Sequence, residues 1–255
     1  MLMNSPYVPP IVQAIGLACV PIDDMPPGTA LARKPVAAAV VTLHTRDDGH
    51  REVSIACLSD ARELEFPLPV LVEDALVAGA PTIMTAHDYD ALRIDAAARR
   101  FFVEPKLGVL ASGQGLIDPV SMFGAGYDEV ALCRRLGVAA TLVADRDVAK
   151  WWRRDAPALA EGVALNSAVS RLLLWAHGAS FTAGLPDAFF ETLLPVREKL
   201  MDLEATRPEV RAILATRPFG RAGSFASYYR EYRARRDAGD EDARWLTFEE
   251  GLSYV

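Results

Sequence analysis

Three apolar segments near the N-terminus, residues 11–20, 35–46 and 51–58, constrain this chain more than any other feature. They are rich in Val, Ile and Ala and are separated by turn-forming residues. Asp47-Asp48-Gly49-His50 has the composition of a tight hairpin turn. The pattern predicts three consecutive strands, mostly antiparallel. Pro67 and Pro69 make an irregular start to a helical segment that ends near Leu76-Val77. Pro81–Ala86 reads as a short fourth strand, and residues 89–102, with Leu92, Ile94, Ala98, Phe101 and Phe102, as a helix. Leu116–Pro119 reads as a connector. Tyr127–Leu136 has helical spacing, and Gly137 stops it. A further helix starts at Asp147, and Ala164–Ala176 forms a strongly apolar one that ends at His177-Gly178. Strands followed by alternating helices and strands predict an α/β chain, with a mixed sheet of about five strands and helices on both faces.

The chain has 255 residues, enough for one large domain or one domain with an appendage, and 51% of them are hydrophobic, so a sizeable core is expected. No apolar run reaches the ~20 residues needed to span a bilayer, which predicts no membrane partner. The N-terminus lacks a basic region followed by an apolar stretch, so no secretion signal is expected. Cys19, Cys57 and Cys133 are odd in number and scattered, as for reduced thiols in a cytoplasmic protein. His44, His50, His87 and His177 lack zinc spacing. The net charge of −7 argues against broad, nonspecific nucleic-acid binding, although local patches can override it. Ser167 and Ser170 have no evident base partner, and Gly113-Gln114-Gly115 lacks the Lys-Ser/Thr of a phosphate loop.

Four local patterns share one likeness. Gly16-Leu17-Ala18-Cys19-Val20-Pro21 ends the first strand. Ile83-Met84-Thr85-Ala86-His87-Asp88-Tyr89-Asp90 joins the fourth strand to its helix. Tyr127–Val138 carries a Leu-x-x-x-Leu-Gly-Val-like ending, and Ala168-Val169 begins an apolar stretch running towards Gly184. Together they resemble the motifs of the 3′–5′ exonucleases of the RNase H-like superfamily, nearest the predicted exonuclease group related to the proofreading domain of family B DNA polymerases. The likeness covers roughly Ile11 to Gly184. It implies an RNase H-like domain over residues 1–184, with residues 185–255 as a helical extension packed on it.

That family places an acid where this chain has Gly16, Ala18 and Ala168, and a tyrosine where it has Ala164. Of the four metal-binding acids the resemblance implies, only Asp90 remains. Such nucleases hold two divalent ions ~4 Å apart, one activating water and one steadying the leaving oxygen. Losing one ligand costs on the order of a thousandfold in rate. The expectation is therefore a protein that has lost two-metal catalysis, needs no cofactor and acts by binding. Two alternatives stay open: an active exonuclease using Mg or Mn through displaced acids, and a protein-interaction subunit that keeps only the fold. Asp23, Asp24, Asp88, Asp95 and Asp118 are the acids that could be displaced. If Gly16, Ala18 and Ala168 face Asp90, then Gly16→Asp, Ala18→Glu and Ala168→Asp together should create manganese affinity.

The C-terminal region holds Arg221–Arg236, which mixes arginines with aromatics. Arginine neutralises phosphate while tyrosine stacks on unpaired bases. Arg221, Tyr229, Arg230, Tyr232 and Arg233 are therefore candidates to contact a single-stranded end of DNA or RNA. The competing reading is an amphipathic helix whose aromatics pack on the core, with Asp237, Asp240, Glu241 and Asp242 pairing with its arginines. Trp151-Trp152-Arg153-Arg154 is a second basic and aromatic cluster. A protein of a DNA-handling complex is the other partner expected.

Overall fold

In the computed structural model the described residues are 9–22, 32–47, 50–60, 66–99, 113, 115–124, 127–138, 143–182, 185 and 187–243. Strands β1 (Ile11–Pro21), β2 (Arg33–Thr45) and β3 (Arg51–Ser59) come first. They are followed by α1 (Leu68–Ala75), β4 (Thr82–Ile83), α2 (Ala86–Ala98) and β5 (Leu116–Ile117). Next come α3 (Glu129–Leu136), α4 (Asp145–Arg153) and α5 (Pro157–His177). The described chain then runs through α6 (Asp187–Leu203), α7 (Val210–Leu214), α8 (Arg217–Gly220) and α9 (Ala222–Asp237). No helix among the described residues is long and apolar enough to cross a membrane.

The five strands form one mixed sheet in the order β3-β2-β1-β4-β5. β1 and β2 are antiparallel, from Ile11 opposite His44 to Pro21 opposite Arg33, with a bulge at Ala18/Cys19. β3 continues the meander, and β4 and β5 run parallel to β1. The expected three-strand opening is thus present within two residues at each end. Leu116-Ile117, read as a connector, is instead the fifth strand. Its two-residue length gives too little alternation for a sequence pattern to register. Asp23, Asp24, Asp48, Gly49, Phe101, Phe102, Gln114 and Gly184 lie outside the described residues.

Alternation along β1 sends its side chains to two different cores. Val12, Ala14 and Ala18 join a core with Ala164, Ala168 and Leu172 of α5. Ile15, Leu17 and Cys19 face the other way, towards Leu68 and Val72 of α1 and Leu92 of α2. Helices therefore cover both faces. Gln13 is fully buried in β1 and satisfies its amide internally: Nε2 donates to Thr82 Oγ1 (2.9 Å) and Val77 O (3.2 Å), and Oε1 accepts from Val77 N (3.0 Å). This bond set fixes β4 beside β1. α6 packs on α5 and β3, with an ion pair from Arg51 to Glu191 (3.1 Å).

Helix and sheet come into backbone contact at Gly16. A Cβ there would lie 2.2 Å from Ala164 O and 2.4 Å from Ala168 N. Glycine is required because the α5 backbone touches the β1 backbone, and the alanines at 164 and 168 permit that contact. Gly16→Ala is expected to destabilise the fold by roughly 3 kcal/mol or more, since neither backbone can yield cheaply. Urea denaturation tests this. A loss under about 0.5 kcal/mol, the range of an ordinary surface change, would contradict the close approach.

Candidate ion-paired cleft

β4 pairs with β1 only at Gln13 and Ala14. Beyond that point the Ile15 carbonyl accepts a hydrogen bond from Arg171 Nη1 (2.8 Å), reaching across from α5. Arg171 is 4% exposed and sits in an apolar, largely buried stretch of α5. A charge placed there must be paired, because the desolvation cost of an isolated one is prohibitive. Arg171 Nη1 lies 2.7 Å from Asp88 Oδ2. Its Nε and Nη2 donate to the two oxygens of Glu129 at 2.7 and 3.2 Å.

Asp88 is shared. Its Oδ1 accepts from Arg33 Nη1 (2.9 Å), and Arg33 also grips both oxygens of Asp145, at 2.7 and 3.2 Å. The result is an alternating chain of charge, Asp145–Arg33–Asp88–Arg171–Glu129. Its members come from α4, β2, α2, α5 and α3. The three acids share one local reason for their positions: each lies in the first turn of its helix, where the helix dipole favours negative charge. Thr85 caps α2 by accepting from Asp88 N (3.3 Å), and Asp128 caps α3 through Ala131 N (2.7 Å). These caps hold the helix starts at the cleft.

Burial alone would raise the pKa of Asp88, but the two guanidinium groups outweigh it and hold the carboxyl below its ordinary value. Burial works against the charge on Arg33 and Arg171 as well, and their carboxylate partners overcome it, raising both pKa values. The five groups border a cavity of about 260 Å³, with Ala18, Cys19, His87, Cys133, Ser167 and Ser170 also in its wall. Burial pushes the Cys133 thiol up to about 12 and the Cys19 thiol upward too, so neither is a ready nucleophile.

The positions singled out by sequence divide into groups. Gly16, Ala164 and Ala168 converge in a closed backbone contact, and Ala18 lines the cavity beside it. No acid fits at residue 16 without moving α5, which removes the basis for manganese affinity in the triple variant. Asp90 does not reach the cavity wall. It lies two residues beyond Asp88, about 200° around the helix. Its side chain is 46% exposed and 3.5 Å from Arg93. Asp95 is buried at the far end of α2 beside Arg99 (3.1 Å), which also binds Asp60. Asp118 accepts from Val120 N (3.0 Å), as a turn former does.

In α9, Tyr229 stacks on Phe190 with ring centroids 4.4 Å apart. Arg221, Arg230 and Arg233 are exposed and Tyr232 is half-buried. Arg235 pairs with Asp240 (2.6 Å). Trp151 and Trp152 pack against the main core while Arg153 and Arg154 face outward. The residues that sequence reasoning missed are Arg33, Glu129, Asp145 and Arg171. Arg171 carried a readable signal, a charge inside the apolar run Val163–Ala176.

The resemblance implies a pair of divalent ions, and the residues present do not fit one. Each carboxylate at the cleft already has both oxygens engaged by a guanidinium. Among the described residues, no three His, Cys, Asp or Glu side chains are arranged to hold a metal ion. Compared with protein-family models, curated proteins and solved structures, the chain matches none.

His177, at the end of α5, is fully buried with its ring centroid 4.2 Å from that of Phe189. Burial lowers its pKa to about 3, so the native ring stays neutral where an unfolded histidine would charge. Stability is therefore intact above the unfolded value near 6.5. It falls as the pH drops below that value, by about 1.4 kcal/mol per pH unit from this one proton. The depressed Asp88 adds a separate loss only below about pH 4, where its unfolded carboxyl protonates. Denaturant titrations from pH 7.5 to 3.5 should show the first slope in the native chain and lose it in His177→Leu. An unchanged slope in that variant would contradict the assignment.

Proposed function

We propose that this chain is an RNase H-like, exonuclease-type protein that has lost two-metal catalysis and acts by binding nucleic acid. The observation that carries this reading is the pair of guanidinium groups, Arg33 and Arg171, spaced between three carboxylates beside the end of β1. A cleft whose carboxylate oxygens are already taken by its own arginines has no open ligands with which to draw in magnesium. The mixed sheet in the order β3-β2-β1-β4-β5, with α5 crossing β1 at Gly16, supports the likeness to the nuclease fold. The exposed arginines of α9 supply the expected contact with a single-stranded end of DNA or RNA.

A second reading, a protein-interaction subunit of a DNA-handling complex, is favoured by one observation. Tyr229 spends its ring face on Phe190, so one of the expected base-stacking groups is occupied within the protein. Acids at 237 and 240–242 also follow the basic helix closely in sequence.

Two measurements decide between these readings. The first incubates single-stranded and 3′-recessed DNA with magnesium or manganese. No cleavage above background is expected, and cleavage that disappears in Asp88→Asn or Asp90→Ala would return the chain to the active exonucleases. The second measures the affinity for single-stranded DNA and RNA against salt. The nucleic-acid reading expects affinity to fall steeply with salt. Arg230→Ala with Arg233→Ala should weaken binding and reduce the log–log slope by about 1.4, or 0.7 for each phosphate no longer neutralised. Absent or salt-insensitive binding would favour the protein-interaction reading.

A further inference from the structure

We infer that Arg171 and Arg33 are the resident cations of an oxygen-lined cation site, so that this cleft is closed to divalent ions by its own side chains and opens to them when a guanidinium is removed. The contacts of Arg171 carry this inference. Its guanidinium is ringed by the Ile15 carbonyl oxygen (2.8 Å), Asp88 Oδ2 (2.7 Å) and both oxygens of Glu129 (2.7 and 3.2 Å). Backbone carbonyl and carboxylate are the hard donors that suit magnesium and manganese. They come from β1, α2 and α3, and their helix caps keep them aimed at one point.

The second guanidinium repeats the arrangement. Arg33 lies between Asp88 Oδ1 (2.9 Å) and Asp145 (2.7 Å). Asp88 thus gives one oxygen to each cation, as a bridging carboxylate does between two ions. Removing Arg171 leaves two carboxylates and a carbonyl facing a cavity large enough to hold water. Magnesium and manganese bind in that way, through one or two carboxylates with the remaining positions hydrated. A packing role alone would not call for this set, because apolar side chains of similar volume avoid the desolvation cost of one buried and one half-buried cation. The inference rests on these contacts and stands apart from the nuclease likeness. Cleavage by the native chain would overturn the proposed function and leave this inference to its own test.

The test compares thermal melting of the native chain, Arg171→Ala, and Arg171→Ala with Glu129→Gln, each in EDTA and in millimolar manganese. The native chain should melt at the same temperature in both. Arg171→Ala should melt about 6–20 °C lower in EDTA, because Glu129 loses its partner and Asp88 one of its two. Manganese near a hundred times its Kd should then recover about 5–10 °C. The added Glu129→Gln should remove that recovery. If Arg171→Ala shows no cooperative melt in EDTA, Arg33→Gln answers the same question, since Arg33 lies at the more open side of the cleft. Calorimetry should then record manganese uptake by the folded Arg33→Gln protein that Asp145→Asn abolishes. The inference is overturned by no manganese effect on a folded variant, by an equal effect with and without Glu129, or by a rise in the native melting temperature that Asp88→Asn removes.

Discussion

Asp88 is shared between two arginines, and the cleft depends on that arrangement. One carboxylate, 3% exposed, bonds Arg33 with one oxygen and Arg171 with the other. Through those two contacts, the starts of α2, α3 and α4 are joined to β2 and to the middle of α5. Removing one member takes a partner from each of its neighbours, which is costlier than replacing the set together. The ion-pair chain therefore behaves as one unit. It also sets the charge of its central members, because the carboxylates keep the guanidiniums charged and the guanidiniums keep Asp88 ionised.

The chain can assemble only because β1 and α5 come so close. Ala14, Gly16 and Ala18 present little volume on the face of β1 that meets Ala164 and Ala168. With the backbones nearly touching there, α5 carries Arg171 to the carbonyl of Ile15, where β4 has ended. Sheet geometry, small residues and the buried arginine form a single construction. A larger residue in that seam would push α5 away and take Arg171 with it. The same closeness explains why small residues at positions 16 and 168 leave no gap: the backbone fills the space.

Much of the fold was legible in the sequence, because period-2 apolar runs and helical spacing are local signals. β1, β2 and β3 read correctly from their Val, Ile and Ala content, and α3 from its spacing and from Gly137, which takes the left-handed conformation at its end. β5 did not, since two residues cannot show a period. In the cleft, the motif likeness points to Asp90, whereas the acid that pairs with the two arginines is Asp88. Asp90 matched a pattern, while Asp88, two residues earlier, faces inward. Which side of a helix meets the core depends on packing that its local composition does not encode. Arg33, Glu129 and Asp145 are scattered across the chain, and only the folded structure aligns their signs.

The most direct measurement of the central claim is a high-resolution crystal structure of the native protein grown with manganese, with anomalous scattering recorded at the metal edge. The predicted result is no anomalous peak in the cleft, with the Arg171 guanidinium lying between Asp88 and Glu129 and that of Arg33 between Asp88 and Asp145. A manganese ion coordinated by Asp88, with either arginine turned away, would contradict it.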